Sequence, residues 1–429
     1  MAPSRKLLQQ GQYTFNGGLP AGWRSVPLAE LGTEFFSGGT PSTERADLWD
    51  GDIAWTTSAR IDDIYLSEGA RNITSRGLRD SSTKLVPKRN VLIGTRVGVG
   101  KTAINTIDIA ISQDLTAMIV DRQKVLPEFL VYAMRSGTVQ RVLRLYRRGT
   151  TIRGIVRKDL LRVSIPLPPL GEQREIARVL STIRRAIEAT DRVIAATREL
   201  KKSLMRYLFT YGPVPVDEAD RVPLKETEFG PVPEAWEVVR LAQVTEKPQY
   251  GYTQGAARDP VGPKFLRITD IGEAGVDWTT VPYCKCDDLA FRKYRLARDD
   301  IVFARTGATT GKSYIVKSCP EAVFASYLIR VRAKGKGRVI ADYLYGFFNS
   351  ALYWYQIRAS KAGSAQVGVN ASRLMDLAIP LPSLGEQQRI ATALLSADAR
   401  TLTEGARKAA LEALFKSVLR ELMTGRVGV

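Results

Sequence analysis

Two stretches of the chain carry apolar residues at alternating spacings of four and three, the pattern of a helix with one apolar face. The first opens at Pro169 and stops before Gly212, and the second opens with the capping sequence Ser383-Leu-Gly-Glu386 and stops before Gly425. The pattern predicts a central helix at 169–210 and a C-terminal helix at 383–424. The apolar positions are Ile176, Leu180, Ile183, Ile187, Thr190, Ile194, Thr197, Leu200, Leu204 and Leu208 in the first stretch, and Ile390, Leu394, Ala397, Leu411, Leu414, Val418 and Leu422 in the second.

Two apolar stripes of matched length need to be covered. An antiparallel coiled coil of the two helices would cover both, and we favour this interpretation. The alternative is that each stripe docks on the globular domain beside it. A helix of about 37 residues is roughly 55 Å long at about 1.5 Å per residue.

The chain is an internal repeat. The segment from Gly149 to Thr210 aligns without a gap on the segment from Gly363 to Thr424, an offset of 363 − 149 = 214. Upstream, Pro20-x-x-Trp23 matches Pro233-x-x-Trp236. The unit is therefore a globular domain followed by a helix, present twice, and the two copies would be related by a pseudo-two-fold axis.

These features predict an α+β protein in which two globular α/β domains are separated by two long antiparallel coiled-coil helices. The predicted parts are an N-terminal arm at 1–19, a first domain at 20–168, the central helix at 169–210, a linker at 211–232, a second domain at 233–382, the C-terminal helix at 383–424 and a tail at 425–429.

Composition narrows the possible functions. The 429 residues carry a net charge of +19, which favours a polyanionic partner over the alternative of a generally basic proteome. The chain has no histidine, so Ser-His-Asp triads and histidine–metal centres are excluded. Among its three cysteines, Cys284-x-Cys286 resembles half of a zinc site, but only Cys319 is left to complete it, and we predict no metal site.

A glycine-rich turn in each copy resembles a nucleotide-binding loop. Thr95 and Thr306 stand where that motif needs a glycine, so a nucleotide site is not expected. The segments VLIGTR–KTAI and IVFARTGATTGKSYI instead predict strand, turn and strand. Such turns would present a cation pair to a DNA phosphate, although a plain hairpin turn is the alternative. The cations are Arg96 with Lys101 in the first copy, and Arg305 with Lys312, beside Thr306, in the second.

Polar loops elsewhere in the two domains carry the residue types that read base edges. We predict DNA-binding roles for them, with ordinary turn chemistry as the alternative for any one residue. In the first domain they are Ser37, Thr40, Thr56, Thr57, Ser58, Gln113, Arg148, Thr150 and Arg153, and in the second they are Tyr250, Tyr252, Thr253, Arg267, Thr269, Tyr327, Lys361, Ser364 and Gln366.

Two copies of the motif I-P-L-P-x-L-G-E-Q-x-x-I-A, beginning at Ile165 and Ile379, each follow a domain opened by P-x-x-W. This arrangement resembles the specificity subunits of type I restriction–modification enzymes, over about residues 20–427. The resemblance implies a subunit without catalytic residues, metal or cofactor of its own. Each domain would read one half of a bipartite, asymmetric target in double-stranded DNA.

The same resemblance implies the partners. Two methyltransferase subunits, which bind S-adenosylmethionine, would dock on the helices, and ATP-driven restriction subunits would join them. The helices would also act as a ruler between the half-sites. We expect a cytoplasmic protein with no membrane partner, because no apolar run spans a bilayer and the first residues lack a signal-peptide core. The alternative functions are a nonspecific nucleic-acid-binding coiled-coil scaffold and an unrecognised NTPase.

Overall fold

A computed structural model describes residues 19–148, 154–272, 275–307, 309–335, 337–362 and 369–428, with the side chains of 360–362 outside the description. Its contacts divide the chain into two compact units. Unit 1 comprises Met1–Ala189 and Lys408–Val429, and unit 2 comprises Thr190–Arg407. The division falls within both long helices.

Unit 1 begins with short strands that alternate with turns. Its strands are β1 (Arg24–Pro27), β2 (Gly32–Ser37), β3 (Trp49–Thr56), β4 (Tyr65–Leu66), β5 (Arg71–Ile73), β6 (Lys84–Val86), β7 (Val91–Gly94), β8 (Thr102–Asn105), β9 (Ile109–Ile111), β10 (Leu115–Val120) and β11 (Ser164–Leu167). Its short helices are α1 (Ser75–Arg79), α2 (Pro127–Arg135), α3 (Gly137–Tyr146) and α4 (Arg157–Leu161), with 3-10 turns at Leu28–Glu30, Ala46–Leu48 and Ser58–Arg60.

Two sheets and a strand pair organise unit 1. The larger sheet has the order β2-β10-β7-β8-β4, and the other has the order β5-β3-β9-β6 with β3 and β9 parallel. β1 pairs with β11, so the start of the domain lies beside the strand that enters the long helix. The core includes Val91, Phe129 and Ile165, none more than 1% exposed.

Unit 2 repeats this plan with smaller sheets. Its strands are β12 (Leu224–Lys225), β13 (Val232–Pro233), β14 (Glu237–Arg240), β15 (Gln249–Tyr250), β16 (Lys264–Leu266), β17 (Ile271–Gly272), β18 (Gly275–Val276), β19 (Ile301–Ala304), β20 (Ser313–Ile315), β21 (Ala322–Phe324), β22 (Leu328–Val331) and β23 (Ala378–Leu381). The helices are α5 (Leu170–Tyr211), which begins in unit 1, α6 (Leu241–Val244), α7 (Asp288–Tyr294), α8 (Ala341–Phe348), α9 (Ala351–Ala362), α10 (Ala371–Met375) and α11 (Leu384–Met423), which ends in unit 1, with 3-10 turns at Val216–Arg221 and Ile268–Asp270.

The sheet order in unit 2 matches that in unit 1. The order β15-β22-β19-β20 corresponds to β2-β10-β7-β8, and the parallel pair β16/β21 corresponds to β3/β9. β14 pairs with β23 as β1 pairs with β11. The repeat found in the sequence is therefore a repeat of fold. The predicted linker also contains regular structure, because β12 pairs with β13.

The same two residues attach each domain to the start of its long helix. In unit 1 the indole N–H of Trp23 donates to Glu172 at 3.0 Å, and in unit 2 that of Trp236 donates to Glu386 at 3.2 Å. These bonds join the P-x-x-W motif to the G-E-Q motif. They explain why both motifs occur together in each copy.

The glutamine that follows each glutamate is completely buried and fully hydrogen-bonded. Gln387 accepts from the Ile340 N–H at 2.9 Å and donates to the carbonyls of Arg338 and Pro382 at 2.9 and 3.0 Å. Gln173 makes the same three types of bond in unit 1, with Leu126, Lys124 and Pro168. A buried amide with such a complete set of partners fixes the helix start to the domain.

Capping residues stand at the ends of the long helices Leu170–Tyr211 and Leu384–Met423. Ser383 and Glu386 form the expected capping box, in which the Glu386 N–H donates to Ser383 Oγ at 3.3 Å and the Ser383 N–H donates to Glu386 at 3.0 Å. Gly212 and Gly425, which follow the two helices, have φ of +81° and +62°. A glycine adopts this left-handed conformation without the Cβ clash of other residues.

The predicted apolar face is wrong at one position of each long helix. Leu200 and Leu414, which occupy equivalent places in the repeat, are 62% and 48% exposed. Met205 and Phe209, outside the predicted stripe, lie in the core of unit 2 with Leu208. The helix ends pack on globular cores, so they need a wider apolar face than a seam between two helices provides.

Each unit holds the beginning of one long helix and the end of the other. In unit 1, Ile176 of α5 and Leu422 of α11 belong to one core, and Tyr132 contacts the ring of Phe415 with centroids 6.0 Å apart. In unit 2, Lys201 of α5 forms an ion pair with Asp398 of α11. The ends of the long helices therefore dock on globular domains, as in the alternative to a coiled-coil seam.

Candidate nucleic-acid interface

The glycine-rich turn of each copy connects two antiparallel strands, as predicted. β7 pairs with β8, and β19 pairs with β20. Gly100 and Gly311, just before the second strand, have φ of +87° and +91°, which only glycine adopts readily. The turns are hairpin connections between buried strands, so their side chains lie at the ends of those strands.

The two arginines of these turns are not equivalent. The Arg305 N–H donates to the Tyr327 carbonyl at 3.0 Å, and in unit 1 the matching bond, to Asp114 at 2.8 Å, is made by Thr95. Arg305 therefore corresponds to the buried Thr95, and the exposed Arg96 lies one position further on. The sequence alignment missed this shift because the turn in unit 1 is one residue shorter.

The cations of the turns are exposed or partly exposed. The Arg305 guanidinium lies over the ring of Tyr250 at 5.0 Å, and the Tyr250 hydroxyl accepts from the Ala371 N–H at 3.1 Å. Lys101 pairs with Asp62 at 3.3 Å, while Lys312 approaches the Gly272 carbonyl at 3.5 Å. Thr306, beside Arg305, is partly exposed.

Several predicted residues of unit 2 meet around one concavity of about 430 Å³. Phe265 and Ala325, which are almost completely buried, contribute apolar surface to it. Hydroxyl, amide and guanidinium groups supply the rest, and no described residue that lines it is acidic. The predicted residues that line it are Tyr252, Thr253, Arg267, Thr269 and Tyr327, and sequence reasoning missed Gln254.

Arg267 is the cation of this concavity, and its orientation is fixed. Asp270 accepts from Arg267 Nε at 3.1 Å and from Nη2 at 2.7 Å. The hydrogen bond to Asp270 raises the pKa of Arg267, so its positive charge is retained. Asp270 was not among the predicted residues, although its position three residues after Arg267 at a turn could have indicated it.

In unit 1 the corresponding loops carry hydroxyl and amide groups. Thr40 is exposed and its hydroxyl donates to the Gln113 side-chain oxygen at 2.7 Å. Ser37 and Thr116 are joined by a 3.3 Å hydrogen bond between their hydroxyls. Thr57 is partly exposed at the end of β3.

One glycine in each copy allows the loop to lie against the neighbouring strand. A Cβ at Gly38 would lie 1.8 Å from the Ile111 carbonyl oxygen, and one at Gly251 would lie 2.2 Å from that of Ala325. Any side chain at these positions would displace the backbone. Gly38 and Gly251 are thus required for packing.

Two predicted residues of unit 1 are placed in the interior. Thr56 and Ser58 are 0% exposed, and Ser58 donates through its N–H at 3.0 Å, and also through its hydroxyl, to Asp114. A side chain without accessible surface does not reach a base edge, so neither residue belongs to the candidate interface. Their polar groups form hydrogen bonds in the interior. A sequence pattern does not distinguish this role from DNA contact.

The remaining predicted residues lie in or next to segments 149–153 and 363–368, which the structure does not describe. Arg148 is exposed and pairs with the buried Asp159 at 2.9 Å. Thr150, Arg153, Ser364 and Gln366 lie outside the described residues, as does the side chain of Lys361.

The cysteines are free thiols in the described structure. Burial raises the pKa of Cys284 to about 11, so this thiol is protonated at neutral pH. Within the described residues no three His, Cys, Asp or Glu side chains are grouped to hold a metal. Every helix in the described part of the chain is too short or too polar to cross a membrane.

Two copies of an α/β domain, each followed by a long helix, form a duplicated fold that is similar to that of solved structures. One is the type I restriction–modification S subunit from M. genitalium, with a TM-score of 0.60 at 14% identity, covering 95% of this chain and 97% of that one. Another, from a study of assembly and conformational transition in the type I system, has a TM-score of 0.56 at 18% identity, covering 96% and 100%.

The model of the type I restriction modification DNA specificity domain matches residues 20–196 and 233–413, and the chain belongs to this family. It is 24% identical over 417 residues to the MjaVIII specificity subunit of Methanocaldococcus jannaschii, covering 96% of this chain and 94% of the relative. It is 21% identical over 386 residues to the EcoKI specificity subunit of Escherichia coli K12, covering 87% and 82%.

Proposed function

We propose that this chain is the sequence-reading subunit of a type I restriction–modification complex and that each unit reads one half of a bipartite DNA target. The observation that carries the proposal is the duplicated attachment of a domain to a long helix, through Trp23 with Glu172 and through Trp236 with Glu386. Each attachment fixes one polar, partly cationic surface relative to one helix. The chain itself contributes recognition and no catalysis.

The long helices are proposed to pair as an antiparallel coiled coil, to set the spacing between the half-sites and to receive two methyltransferase subunits. The internal repeat supports two equivalent docking positions, because each copy carries the same helix. Exposed apolar side chains such as Leu200 and Leu414 are available for contact with a partner. S-adenosylmethionine and ATP would be bound by the methyltransferase and restriction subunits in the cytoplasm.

Native mass measurement of the chain with excess methyltransferase partner tests the stoichiometry. We expect one specificity chain with two methyltransferase subunits, one for each repeat. A stable one-to-one complex at saturating partner would contradict the two-fold arrangement.

Competition binding separates sequence recognition from nonspecific binding. The complex should prefer one duplex over random competitors by about 10³-fold or more, beyond the salt-dependent affinity that any cationic protein has for DNA. Equal affinity for every duplex, with only a steep salt dependence, would instead indicate the nonspecific scaffold.

A further inference from the structure

Arg267 is held in one orientation at the edge of the unit 2 concavity. Besides the two bonds from its guanidinium, Asp270 accepts from the Arg267 backbone N–H at 2.8 Å. The Asp270 side chain is only 9% exposed, whereas that of Arg267 is 41% exposed. The carboxylate is thus a fixed support, and the guanidinium faces solvent without being free to rotate.

The bonds to Asp270 leave a defined set of donors for a ligand. Asp270 uses the edge of the guanidinium formed by Nε and Nη2. The edge formed by Nη1 and Nη2 retains two parallel N–H groups, because a guanidinium has five donors in a rigid plane. A ligand for this edge must present two acceptors side by side.

Among the base edges in the major groove of DNA, guanine alone presents two such acceptors, O6 and N7. Adenine pairs its N7 acceptor with an N6 donor, which would oppose an arginine N–H. A phosphate also offers paired oxygens, but Arg267 is the single charged group among the described residues that line this concavity. The other groups are hydroxyl, amide and aromatic side chains, which suit base edges better than phosphates.

We infer that Arg267 is a specificity-determining residue that reads one guanine of the half-site bound by unit 2. This inference rests on the proposed sequence-specific recognition of DNA and names the base that one side chain reads. Thr57 occupies the equivalent place in unit 1, between β3 and the 3-10 turn at Ser58–Arg60. A threonine has no such donor pair, so this guanine contact belongs to the second half-site.

Modified bases test the contact directly. The methylated target is first determined by sequencing DNA from cells that carry the chain and its methyltransferase partner. Each guanine of the second half-site is then replaced by 7-deazaguanine, which lacks the N7 acceptor, and affinities of the purified complex are measured by fluorescence anisotropy. One replacement should weaken wild-type binding about 10-fold and have no further effect on Arg267→Gln.

Two variants and the other half-site serve as controls. Arg292→Gln removes an exposed arginine of α7 in the same unit and should remain sensitive to 7-deazaguanine. Arg267→Lys keeps the charge but lacks the planar donor pair that Asp270 holds in place, so 7-deazaguanine should weaken its binding less than it weakens binding of wild type. Replacements in the first half-site should affect Arg267→Gln as they affect wild type, which verifies that the variant is folded.

The results that overturn the inference differ from those that overturn the proposed function. A second half-site without guanine, or equal effects of 7-deazaguanine on wild type and Arg267→Gln, rules out the contact. Uniform loss of affinity for all duplexes, with a salt slope smaller by about one unit, identifies a phosphate contact instead. Equal binding of wild type to all duplexes would remove the proposed function itself.

Discussion

Glu386 shows how one side chain links the second recognition domain to its helix. Partial burial opposes the charged form, but hydrogen bonds from Ser383 and Trp236 outweigh it and hold the pKa of Glu386 below its usual value. The charged carboxylate therefore stabilises the folded state above its unfolded pKa of about 4.3. This contribution is lost as the pH falls through the lower folded pKa.

The variant Glu386→Gln tests this linkage. Wild type should be more stable than the variant above about pH 5, and the difference should shrink as the pH falls below about 4. Urea unfolding midpoints of both proteins across this range measure it. Glu234→Gln, which removes an exposed carboxylate of the same unit, should show no such trend. A difference that grows on acidification would contradict the assigned role.

Some residues predicted to contact DNA lie together where loops converge, whereas others are buried. The residue types of Tyr252 and Thr269 indicated a binding loop, and the structure places both at one concavity. Thr56 and Ser58 have similar residue types and are buried. The sequence pattern does not distinguish a hydroxyl that is hydrogen-bonded in the interior from one that faces a ligand. The burial of a hydroxyl depends on strands that are distant in sequence.

At the scale of the element, the buried glutamines fix the start of each long helix. Gln387→Leu would leave the Ile340 N–H and two carbonyls without partners, so we expect a loss of about 2–4 kcal/mol in the free energy of unfolding. The neighbouring Gln388→Leu should cost less than about 0.5 kcal/mol, because this side chain is exposed. Chemical denaturation of both variants measures the difference. Equal stability of the two would show that the buried hydrogen bonds are not needed.

A second prediction concerns which face of the central helix is buried. Leu208→Ala should destabilise the protein by about 2–4 kcal/mol, because Leu208 lies in the core of unit 2 at 5% exposure. Leu200→Ala should change the unfolding free energy by less than about 0.5 kcal/mol. Both substitutions fall on the apolar stripe of the sequence, so denaturation curves distinguish the observed face from the predicted one. A larger loss of unfolding free energy for Leu200→Ala would support the predicted coiled-coil seam at this position.

The elements whose signals are local were predictable from the sequence. Capping residues located both ends of the helices, and the glycine-rich turns indicated hairpins, which the strand pairing confirms. The helix face near Met205 and Phe209 was not predicted, because its cover comes from helix α8 and the loops before β14. A period of 3.5 identifies an apolar stripe but does not show how wide a surface a globular domain covers.

At the scale of the whole molecule, we propose that helix length sets the spacing of the two half-sites. Four helix-forming residues inserted after Leu200 add roughly 6 Å at about 1.5 Å per residue. Duplex DNA rises about 3.4 Å per base pair, so the unspecified spacer should lengthen by one or two base pairs. Four residues are little more than one helical turn, so the insertion rotates the following residues by only about 40°.

Sequencing of methylated sites from cells that carry either the wild-type or the inserted chain, each with the same methyltransferase partner, tests this claim most directly. We expect two short half-sites separated by a fixed spacer for wild type. For the inserted chain we expect the same two half-sites with a spacer longer by one or two base pairs. A single contiguous target for wild type, or an unchanged spacer with full activity for the inserted chain, would contradict this claim.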